Sequence, residues 1–322
     1  MPDPHANPQA GIEVTFLMPC LDEARTIERC IAAAQRCIAD HSLRAEILVA
    51  DNGSTDGSPD LARRAGARVI VVPTRGIGAA ITAGVRVAQG RFVILGDSDL
   101  QHDFAECFPF IQKLREGDGR RWDLVMGSRF KGRILPGAMR PLNRYLGNPL
   151  LSAIGRLLFR APVSDFHCGL RAFTRESFLA LNLRTIGFEF TTEHIVKSAL
   201  HKLRITEVPI TVHPEGRARP PHLRRFSDGW RTLRFKLLLS PRWTLAFPGL
   251  ALMLLGAILA ALVYPGTFWI GRIGLDVHTL VLACAMVMAG STALSIGAAA
   301  RIYATQLELG PPGPVAGRLF SL

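Results

Sequence analysis

The chain has 322 residues, which is more than one ordinary domain needs, and 48% of them are hydrophobic. Its mean hydropathy of +0.22 is high for a purely soluble protein. The net charge of +12 suggests an anionic partner, such as nucleic acid, a membrane surface or a phosphorylated substrate. The six cysteines include no C-x-x-C pair, which excludes a recognisable zinc knuckle or redox motif.

The first two thirds of the chain alternate short apolar β-type runs with helical patterns. Residues 1–12 lack the basic and apolar regions of a signal peptide, and they are predicted to be a disordered tail. Predicted strands lie at 13–18, 45–50, 68–72, 92–95, 124–126, 172–173 and 205–212, and predicted helices at 24–39, 60–65, 77–88, 103–115, 144–159 and 192–201. This alternation predicts a parallel sheet covered by helices.

The strand at 92–95 ends in two carboxylates, Asp97 and Asp99, which are separated by one residue. Residues i and i+2 of an extended chain point the same way, and open α/β sheets bind ligands outside the carboxyl ends of their strands. Divalent cations such as Mg²⁺ take oxygen ligands of this kind, usually together with substrate phosphates. Aspartate and serine also favour turns, so these residues alone leave open a polar strand-to-loop turn.

The character of the chain changes after residue 216. In residues 217–242, eight basic residues accompany the single acid Asp228, and Phe226, Trp230, Leu233 and Leu237 share one helical face. This pattern predicts a basic amphipathic segment at a membrane surface over 216–242. Packing of the same helix on the domain's own core is the alternative.

Two long uncharged runs follow this basic segment. Residues 243–271 and 277–300 contain no Asp, Glu, Lys or Arg, and each exceeds the ~20 residues that cross a bilayer. They predict two transmembrane helices within 243–303 and a tail at 304–322, with a buried hairpin of a soluble protein as the alternative. The basic flank before the first run predicts a cytoplasmic N-terminal domain in a multi-pass cell-membrane protein.

Four motifs lie beside strands of the predicted sheet. They read Met-Pro-Cys-Leu-Asp-Glu at 18–23, Asp-Asn-Gly-Ser-Thr-Asp-Gly at 51–57, Arg-Gly-Ile-Gly-Ala-Ala at 75–80 and Asp-Ser-Asp at 97–99. Together they resemble the family-two glycosyltransferases of the GT-A fold. A dinucleotide-binding domain fits less well, because its glycines should follow the first strand rather than the third.

Three further stretches resemble the polyprenyl-phosphate branch of that family, which includes dolichol-phosphate mannose and glucose synthases. They are Leu-Gln-His at 100–102, Val-Met-Gly-Ser-Arg-Phe at 125–130 and Ser-Asp-Phe-His-Cys-Gly-Leu-Arg-Ala-Phe at 164–173. The resemblance covers roughly residues 13 to 303, with a catalytic domain at 13–215. The chain departs from the family at Asp22, where Asn is usual, at Asn52, where a second Asp is common, and at Cys168, where Ser is usual.

The resemblance implies a donor site for a nucleotide-diphosphate sugar across the strand ends. The residues expected to bind this donor are Pro19, Glu23, Asp51, Gly76, Asp97 and Ser98. Asp99 would ligate Mg²⁺ or Mn²⁺, and Asp97 would hold the ribose or a metal-bound water. The cation would neutralise the diphosphate as it leaves. As a plain turn residue, Asp51 would have no such role.

The resemblance also implies a polyprenyl phosphate as the acceptor. This phosphate is largely a dianion at neutral pH, so it can attack the anomeric carbon without a base that removes a proton. It needs cations instead, and Arg129, Arg171 and Arg217 are the candidates, with Arg129 the best placed at a strand end. Gln101, Asp165 and Glu193 are expected to orient the sugar hydroxyls or these arginines. The catalytic set is therefore predicted to be Asp97, Asp99 and Arg129.

The predicted function is the inverting, metal-dependent transfer of a hexose to polyprenyl phosphate at the cytoplasmic membrane face. The bilayer is an expected partner, nucleic acid is not, and a homo-oligomer is possible. A GT-A enzyme with a different lipid or polysaccharide acceptor is one alternative. A non-catalytic membrane-anchored scaffold that binds nucleotide sugars is the other.

Overall fold

The computed structural model describes residues 11–116, 122–216, 225–271 and 273–306. The chain divides into two compact units, with the boundary between Thr232 and Leu233. The predicted tail at 1–12 and the tail at 304–322 lie largely outside the described residues.

The first unit contains a seven-stranded sheet. Its strands are β1 (Val14–Cys20), β2 (Ala45–Asp51), β3 (Arg68–Val71), β4 (Phe92–Leu95), β5 (Leu124–Ile134), β6 (Arg171–Thr174) and β7 (Ile205–Val212). Its helices are α1 (Ile27–Asp40), α2 (Ser58–Arg64), α3 (Ile77–Val87), α4 (Phe108–Arg115), α5 (Asn148–Phe159), α6 (Arg175–Ala180) and α7 (Phe190–Leu200). A 3₁₀ turn at Phe104–Cys107 precedes α4, and a π-helical turn at Asn143–Gly147 precedes α5.

The strand order is β3-β2-β1-β4-β6-β5-β7, and β6 alone among these seven runs antiparallel to its neighbours. The prediction of a mostly parallel α/β fold is therefore confirmed. Parallel strands are buried on both faces, which is why β4 contains only apolar residues and all four are buried. Gly84 of α3 faces the side chain of Leu17, since a Cβ at this glycine would come within 2.5 Å of it. The helix therefore approaches β1 closely.

Three elements of the first unit differ most from the sequence prediction. Strand β5 continues past residue 126 to Ile134, with an irregular register between Ser128 and Arg133. The helix predicted at 144–159 begins earlier, at residue 141, through the π-helical turn. Helix α6 had no counterpart in the prediction.

The second unit begins within α8 (Arg225–Leu238), which is followed by α9 (Phe247–Val263), a hairpin of β8 (Phe268–Ile270) and β9 (Ile273–Leu275), and α10 (Val277–Gln306). A π-helical turn at Arg242–Ala246 leads into α9. Two helices, Arg242–Val263 and Val277–Tyr303, have the length and composition to cross a membrane, and most of their residues are not buried. They pack on each other at glycines: a Cβ at Gly290 would lie 2.5 Å from the carbonyl oxygen of Gly249.

Candidate active site

The strand ends of the first unit meet at one edge of the sheet. Cys20, the last residue of β1, is in register with Asp51, the last residue of β2. Arg171, the first residue of the antiparallel β6, is in register with Leu95 on one side and Met126 on the other. The motifs that follow these strands are thereby brought together.

Asp51 and Asn52 shape the loop after β2. Asp51 is 2% exposed, and its Oδ2 accepts hydrogen bonds from the backbone N–H groups of Gly53 (3.0 Å) and Ser54 (3.2 Å). Asn52 Oδ1 accepts from the N–H of Gly76 at 2.7 Å, and its Nδ2 donates to the carbonyl of Thr74 at 2.7 Å. An aspartate could not make this donation, so the asparagine joins two loops in a way that a carboxylate would not.

The loop after β1 is fixed from two directions. Asp22 has a φ of 54°, in the left-handed region that Asn and Asp tolerate better than most residues, and its carboxylate accepts from the Thr55 N–H at 2.7 Å. Glu23 is 7% exposed. The hydroxyl of Thr26 donates to the carboxylate of Glu23 at 3.2 Å and to the carbonyl of Ser98 at 2.6 Å. Pro19 is close as well, since its carbonyl accepts from the Ser98 hydroxyl.

Asp97 and Asp99 lie in the loop after β4. Asp99 is 2% exposed, and its Oδ1 accepts from the N–H of Gln101 at 3.0 Å. Leu100, which follows Asp99, has a φ of 68°. This conformation is costly for a leucine and is typical of functional loops that their surroundings hold in place. Asp97 is half-buried against Gly169, where a Cβ would come within 2.3 Å of its Oδ2. Glycine at this position therefore leaves room for the carboxylate.

The segment after β7 crosses this carboxylate loop. The N–H of Gly216 donates to the carbonyl of Asp99 at 2.9 Å, and that of His213 donates to the carbonyl of Gln101 at 3.0 Å. The side chain of Gln101 donates to Glu215 at 3.2 Å. Arg217, which was predicted to bind phosphate, is the next residue and lies outside the described part of the chain.

The carboxylate oxygens of the loop after β4 are suitable ligands for a divalent cation. Mg²⁺ is usually bound by one or two carboxylates together with substrate phosphates, so the pair of Asp97 and Asp99 has the required chemistry. Among the described residues, no group of three or more His, Cys, Asp and Glu side chains could hold a metal alone.

Arg129 and Asp165 form a buried, two-pronged ion pair. Arg129 Nε lies 2.5 Å from Oδ2 of Asp165, and its Nη2 lies 2.6 Å from Oδ1. The side chains are 11% and 0% exposed. Burial favours the neutral forms, but the hydrogen bonds and charge of each partner outweigh it. The pKa of Arg129 is therefore raised and that of Asp165 is lowered, so both are ionised.

Glu207 of β7 holds the backbone at Asp165 and so supports this ion pair. Its side chain is 3% exposed, and its Oε1 accepts from the backbone N–H of Ser164 at 2.5 Å and of Asp165 at 3.3 Å. Its Oε2 lies 2.6 Å from Nζ of Lys131. The sequence pattern of an edge strand gave no indication of this carboxylate, because its partners come from two distant segments.

Arg171 is at the strand ends but is buried. It is 1% exposed, its Nη2 donates to the carbonyl of Cys168 at 2.8 Å, and its Nη1 lies 3.5 Å from Nδ1 of His194. Burial lowers its pKa to about 10, so it remains a cation at neutral pH. The same environment lowers the pKa of His194 well below its usual value.

Glu193 has contacts that point to a structural role. It is 0% exposed, and its carboxylate accepts from the N–H groups of Arg184 and Thr185 and from the Thr185 hydroxyl, the last at 2.6 Å. It also lies 3.1 Å from Nζ of Lys197. These contacts fix the loop before α7, and the predicted sugar-orienting role of Glu193 gains no support from them.

Arg75 is a candidate that the sequence prediction missed. Its guanidinium lies over Gly53, with Cζ 3.2 Å from the point where a Cβ would be, and the side chain is exposed at the strand-end edge. Arg75 opens the motif at 75–80, but a basic residue in a glycine-rich loop is most often a solvated charge. Its position indicates a role in the site only in the folded protein, where Asn52 joins the loop after β2 to the loop that contains Arg75.

The fold and this edge of carboxylates and arginines define a GT-A-type glycosyltransferase domain. The model of the family "Glycosyl transferase family 2" matches residues 15–181, and the chain belongs to this family. It is accordingly a glycosyltransferase, which confirms the prediction of an enzyme.

Two proteins of Haloferax volcanii are similar to the chain. The first is the low-salt glycan biosynthesis hexosyltransferase Agl6, which is 35% identical over 286 residues, or 88% of this chain and 67% of Agl6. The second is the glycosyltransferase AglJ, 35% identical over 230 residues, or 71% of this chain and 70% of AglJ. Among solved structures, a glucosyl-3-phosphoglycerate synthase of Mycobacterium tuberculosis in complex with Mn²⁺, UDP and glucosyl-3-phosphoglycerate has a TM-score of 0.56 at 24% identity, covering 71% of this chain and 80% of that one. This similarity bears on the fold alone.

Proposed function

We propose that the chain transfers a hexose from a nucleotide-diphosphate sugar to a polyprenyl phosphate, with inversion, at the cytoplasmic face of the cell membrane. The observation that carries this proposal is the combination of one strand-end edge, bearing Asp97, Asp99 and the Arg129–Asp165 pair, with two helices of bilayer-spanning length. The name of Agl6 as a hexosyltransferase of glycan biosynthesis supports the hexose.

The donor would lie across the ends of β1, β2 and β4. Asp51 and Arg75 would contact the nucleoside end, and Pro19, Glu23, Gly76 and Ser98 line the same edge. Asp99 and Asp97 would hold Mg²⁺ or Mn²⁺, and the bound metal would supply neutralisation of the diphosphate charge. The Mn²⁺ and UDP in the mycobacterial structure support this class of donor and metal.

The acceptor phosphate would be bound by Arg129. A guanidinium has five N–H donors, and the two bonds to Asp165 leave three of them for a phosphate. Asp165 thus positions Arg129, and Gln101, whose backbone N–H donates to Asp99, would contact the sugar. Arg171 adds positive charge from beneath the strand ends, and Arg217 follows Gly216 directly. The phosphate is already ionised, so no group of the protein has to remove a proton from it.

Membrane attachment would follow from the second unit. The two apolar helices would span the bilayer, and the basic residues before them would keep the catalytic domain in the cytoplasm. A polyprenyl chain stays in the bilayer, so its phosphate would be presented at the surface where the catalytic domain is held.

The test is a transfer assay in vesicles with polyprenyl phosphate and a panel of UDP- and GDP-hexoses. The wild type should form glycosylated lipid only with a divalent cation, and Asp99→Asn should reduce the rate at least a hundredfold. The matched control is Asp60→Asn, an exposed aspartate of α2, which should leave the rate unchanged. Transfer to a glycan or another lipid, but not to polyprenyl phosphate, would favour the alternative acceptor. Nucleotide-sugar binding without any transfer would favour the scaffold, against which family membership argues.

A further inference from the structure

The residues between α6 and α7 cross the beginning of α3. The carbonyl of Ile186 accepts hydrogen bonds from the N–H groups of Gly78 (2.9 Å) and Ala79 (3.3 Å), which lie in the first turn of α3. The first N–H groups of a helix have no partner within the helix and are a common binding site for phosphate. Here a protein carbonyl takes two of them, so they are not available to a diphosphate. Residues 181–187 are called the Ile186 loop below.

Two glycines of the motif at 75–80 make room for the Ile186 loop. A Cβ at Gly76 would lie 2.2 Å from the carbonyl oxygen of Ile186, and a Cβ at Gly78 would lie 2.4 Å from the carbonyl oxygen of Thr185. Both distances are too short for any side chain. Gly76 also has a φ of 134°, which only glycine adopts readily. The loop and the glycine motif are therefore built to fit each other.

Two buried charges hold the Ile186 loop in position. Glu193 and Lys197 are 0% and 1% exposed, and their charged groups lie 3.1 Å apart. The carboxylate of Glu193 accepts from the backbone N–H groups of residues 184 and 185 at 3.1 and 2.9 Å. Nζ of Lys197 donates to the carbonyls of residues 181 and 182, also at 3.1 and 2.9 Å. Buried charges are costly unless they are paired and hydrogen-bonded, so these contacts favour one position of the loop.

The side chain of Ile186 is exposed beside Gly76. It is 55% exposed, and its Cβ lies 3.6 Å from the point where a Cβ of Gly76 would be. The N–H of Gly76 donates to Asn52 in the loop after β2, and Arg75 lies over Gly53 of the same loop. A single exposed isoleucine is common on a protein surface. One that a fixed loop holds at the edge of a ligand site provides an apolar contact there.

We propose that Ile186 contacts the nucleoside of the donor and is a specificity-determining residue for its base. The proposal rests on the proposed function, which assigns the nucleoside end of the donor to Asp51 and Arg75. Isoleucine is branched at Cβ and has few rotamers, so its bulk stays in one place. It packs on the base and limits the room beside it. Alanine at this position would open space that a purine fills better than the smaller pyrimidine.

The experiment measures the binding of nucleoside diphosphates to the full chain in detergent by isothermal titration calorimetry. UDP and GDP are titrated separately in the presence of Mn²⁺ and without any acceptor. Ile186→Ala should raise the affinity for GDP relative to UDP at least fivefold above the wild-type ratio, because removing apolar bulk from a pocket changes selectivity by about this much or more. Ile186→Val keeps the branched Cβ, and its ratio should stay within twofold of wild type.

The matched control is Leu179→Ala, at an apolar residue of α6 that is 37% exposed. Arg175, the first residue of α6, donates to the carbonyls of Val85 and Arg86 at 3.0 and 2.8 Å. These carbonyls belong to the end of α3 that is remote from the glycine motif. The control should therefore keep the wild-type ratio of the two affinities. Thermal unfolding in the same detergent checks that every variant is folded.

The outcomes separate this proposal from the proposed function. An unchanged affinity ratio in Ile186→Ala, or an equal change in Leu179→Ala, would overturn the role of Ile186, while polyprenyl transfer by the wild type would still support the proposed function. A changed ratio in a chain that glycosylates no polyprenyl phosphate would support the nucleoside contact and refute the proposed acceptor. A wild type that bound neither UDP nor GDP would overturn both.

Discussion

The buried pair of Arg129 and Asp165 allows a quantitative test. Asp165→Asn keeps the size of the side chain but removes the charge that two guanidinium nitrogens contact at 2.5 and 2.6 Å. Because Asp165 is fully buried and Arg129 nearly so, the variant leaves an uncompensated buried cation. Breaking such a pair costs about 3–5 kcal/mol of folding free energy. For a unit of this size that cost lowers Tm by roughly 6–20 °C.

The chain provides a matched control with the same chemistry at the surface. Asp60 lies 2.7 Å from Arg63, but the side chains are 74% and 50% exposed. Asp60→Asn should therefore cost less than about 1 kcal/mol. Both variants and the wild type are compared by thermal unfolding in the same detergent. A shift for Asp165→Asn no larger than that for Asp60→Asn would refute the assignment of a buried, strongly coupled pair.

A double variant distinguishes stability from function. Replacing Arg129 by Met and Asp165 by Leu removes both charges, and apolar side chains of similar size often restore the stability of a broken buried pair. Transfer should still be lost, because the phosphate would have no guanidinium to bind. Recovery of transfer together with stability would show that Arg129 does not bind the acceptor.

Three further outcomes are expected. Gly169→Ala should lower the transfer rate at least tenfold in a folded protein, since a Cβ there would lie 2.3 Å from the Asp97 carboxylate. The control Gly147→Ala, whose Cβ would have no contact closer than 3.6 Å, should leave the rate unchanged. Equal rates for the two variants would contradict the close approach of Gly169 to Asp97. Asn52→Asp should raise KM for the donor several-fold in a steady-state assay, because it loses the amide that donates to the loop before α3; an unchanged KM would argue against that loop as part of the donor site. Burial depresses the pKa of His194, so the unfolded chain binds this proton first as the pH falls below about 6.5, and native stability is lost in that direction. His194→Gln should therefore show a smaller fall in Tm between pH 7 and pH 5 than the wild type, and an identical fall would contradict the assignment.

The sequence predicted the sheet and the polar residues at its strand ends well, for a physical reason. Strands such as β4 are buried on both faces and read as short apolar runs, and the polar residues that end them are visible because the hydrophobicity stops there. The carboxylates Asp97 and Asp99 and the loop at Asp51 were found in this way. The family resemblance then supplied roles that spacing alone could not.

The contacts that fix the site were not predictable from local patterns. Glu207 supports a loop more than 40 positions earlier in the chain, and Asn52 reaches a loop 24 positions later. Glu193 was predicted to orient the sugar because it is a carboxylate, yet its oxygens accept hydrogen bonds from the backbone of the loop before α7. Whether a polar side chain faces a ligand or a neighbouring loop depends on the tertiary structure, because both environments favour the same residue types.

The bond between Gly216 and the main chain of Asp99 affects where this protein can be divided. A soluble catalytic fragment that follows the predicted domain boundary would stop at residue 215 and would omit the N–H that donates to the carbonyl of Asp99 at 2.9 Å. Such a fragment could keep its whole sheet and still lose activity, since the loop that carries the carboxylates would be less firmly held. Expression trials should therefore compare fragments that end before and after residue 216. The transfer rate, rather than the yield of folded protein, is the measure by which to choose between them.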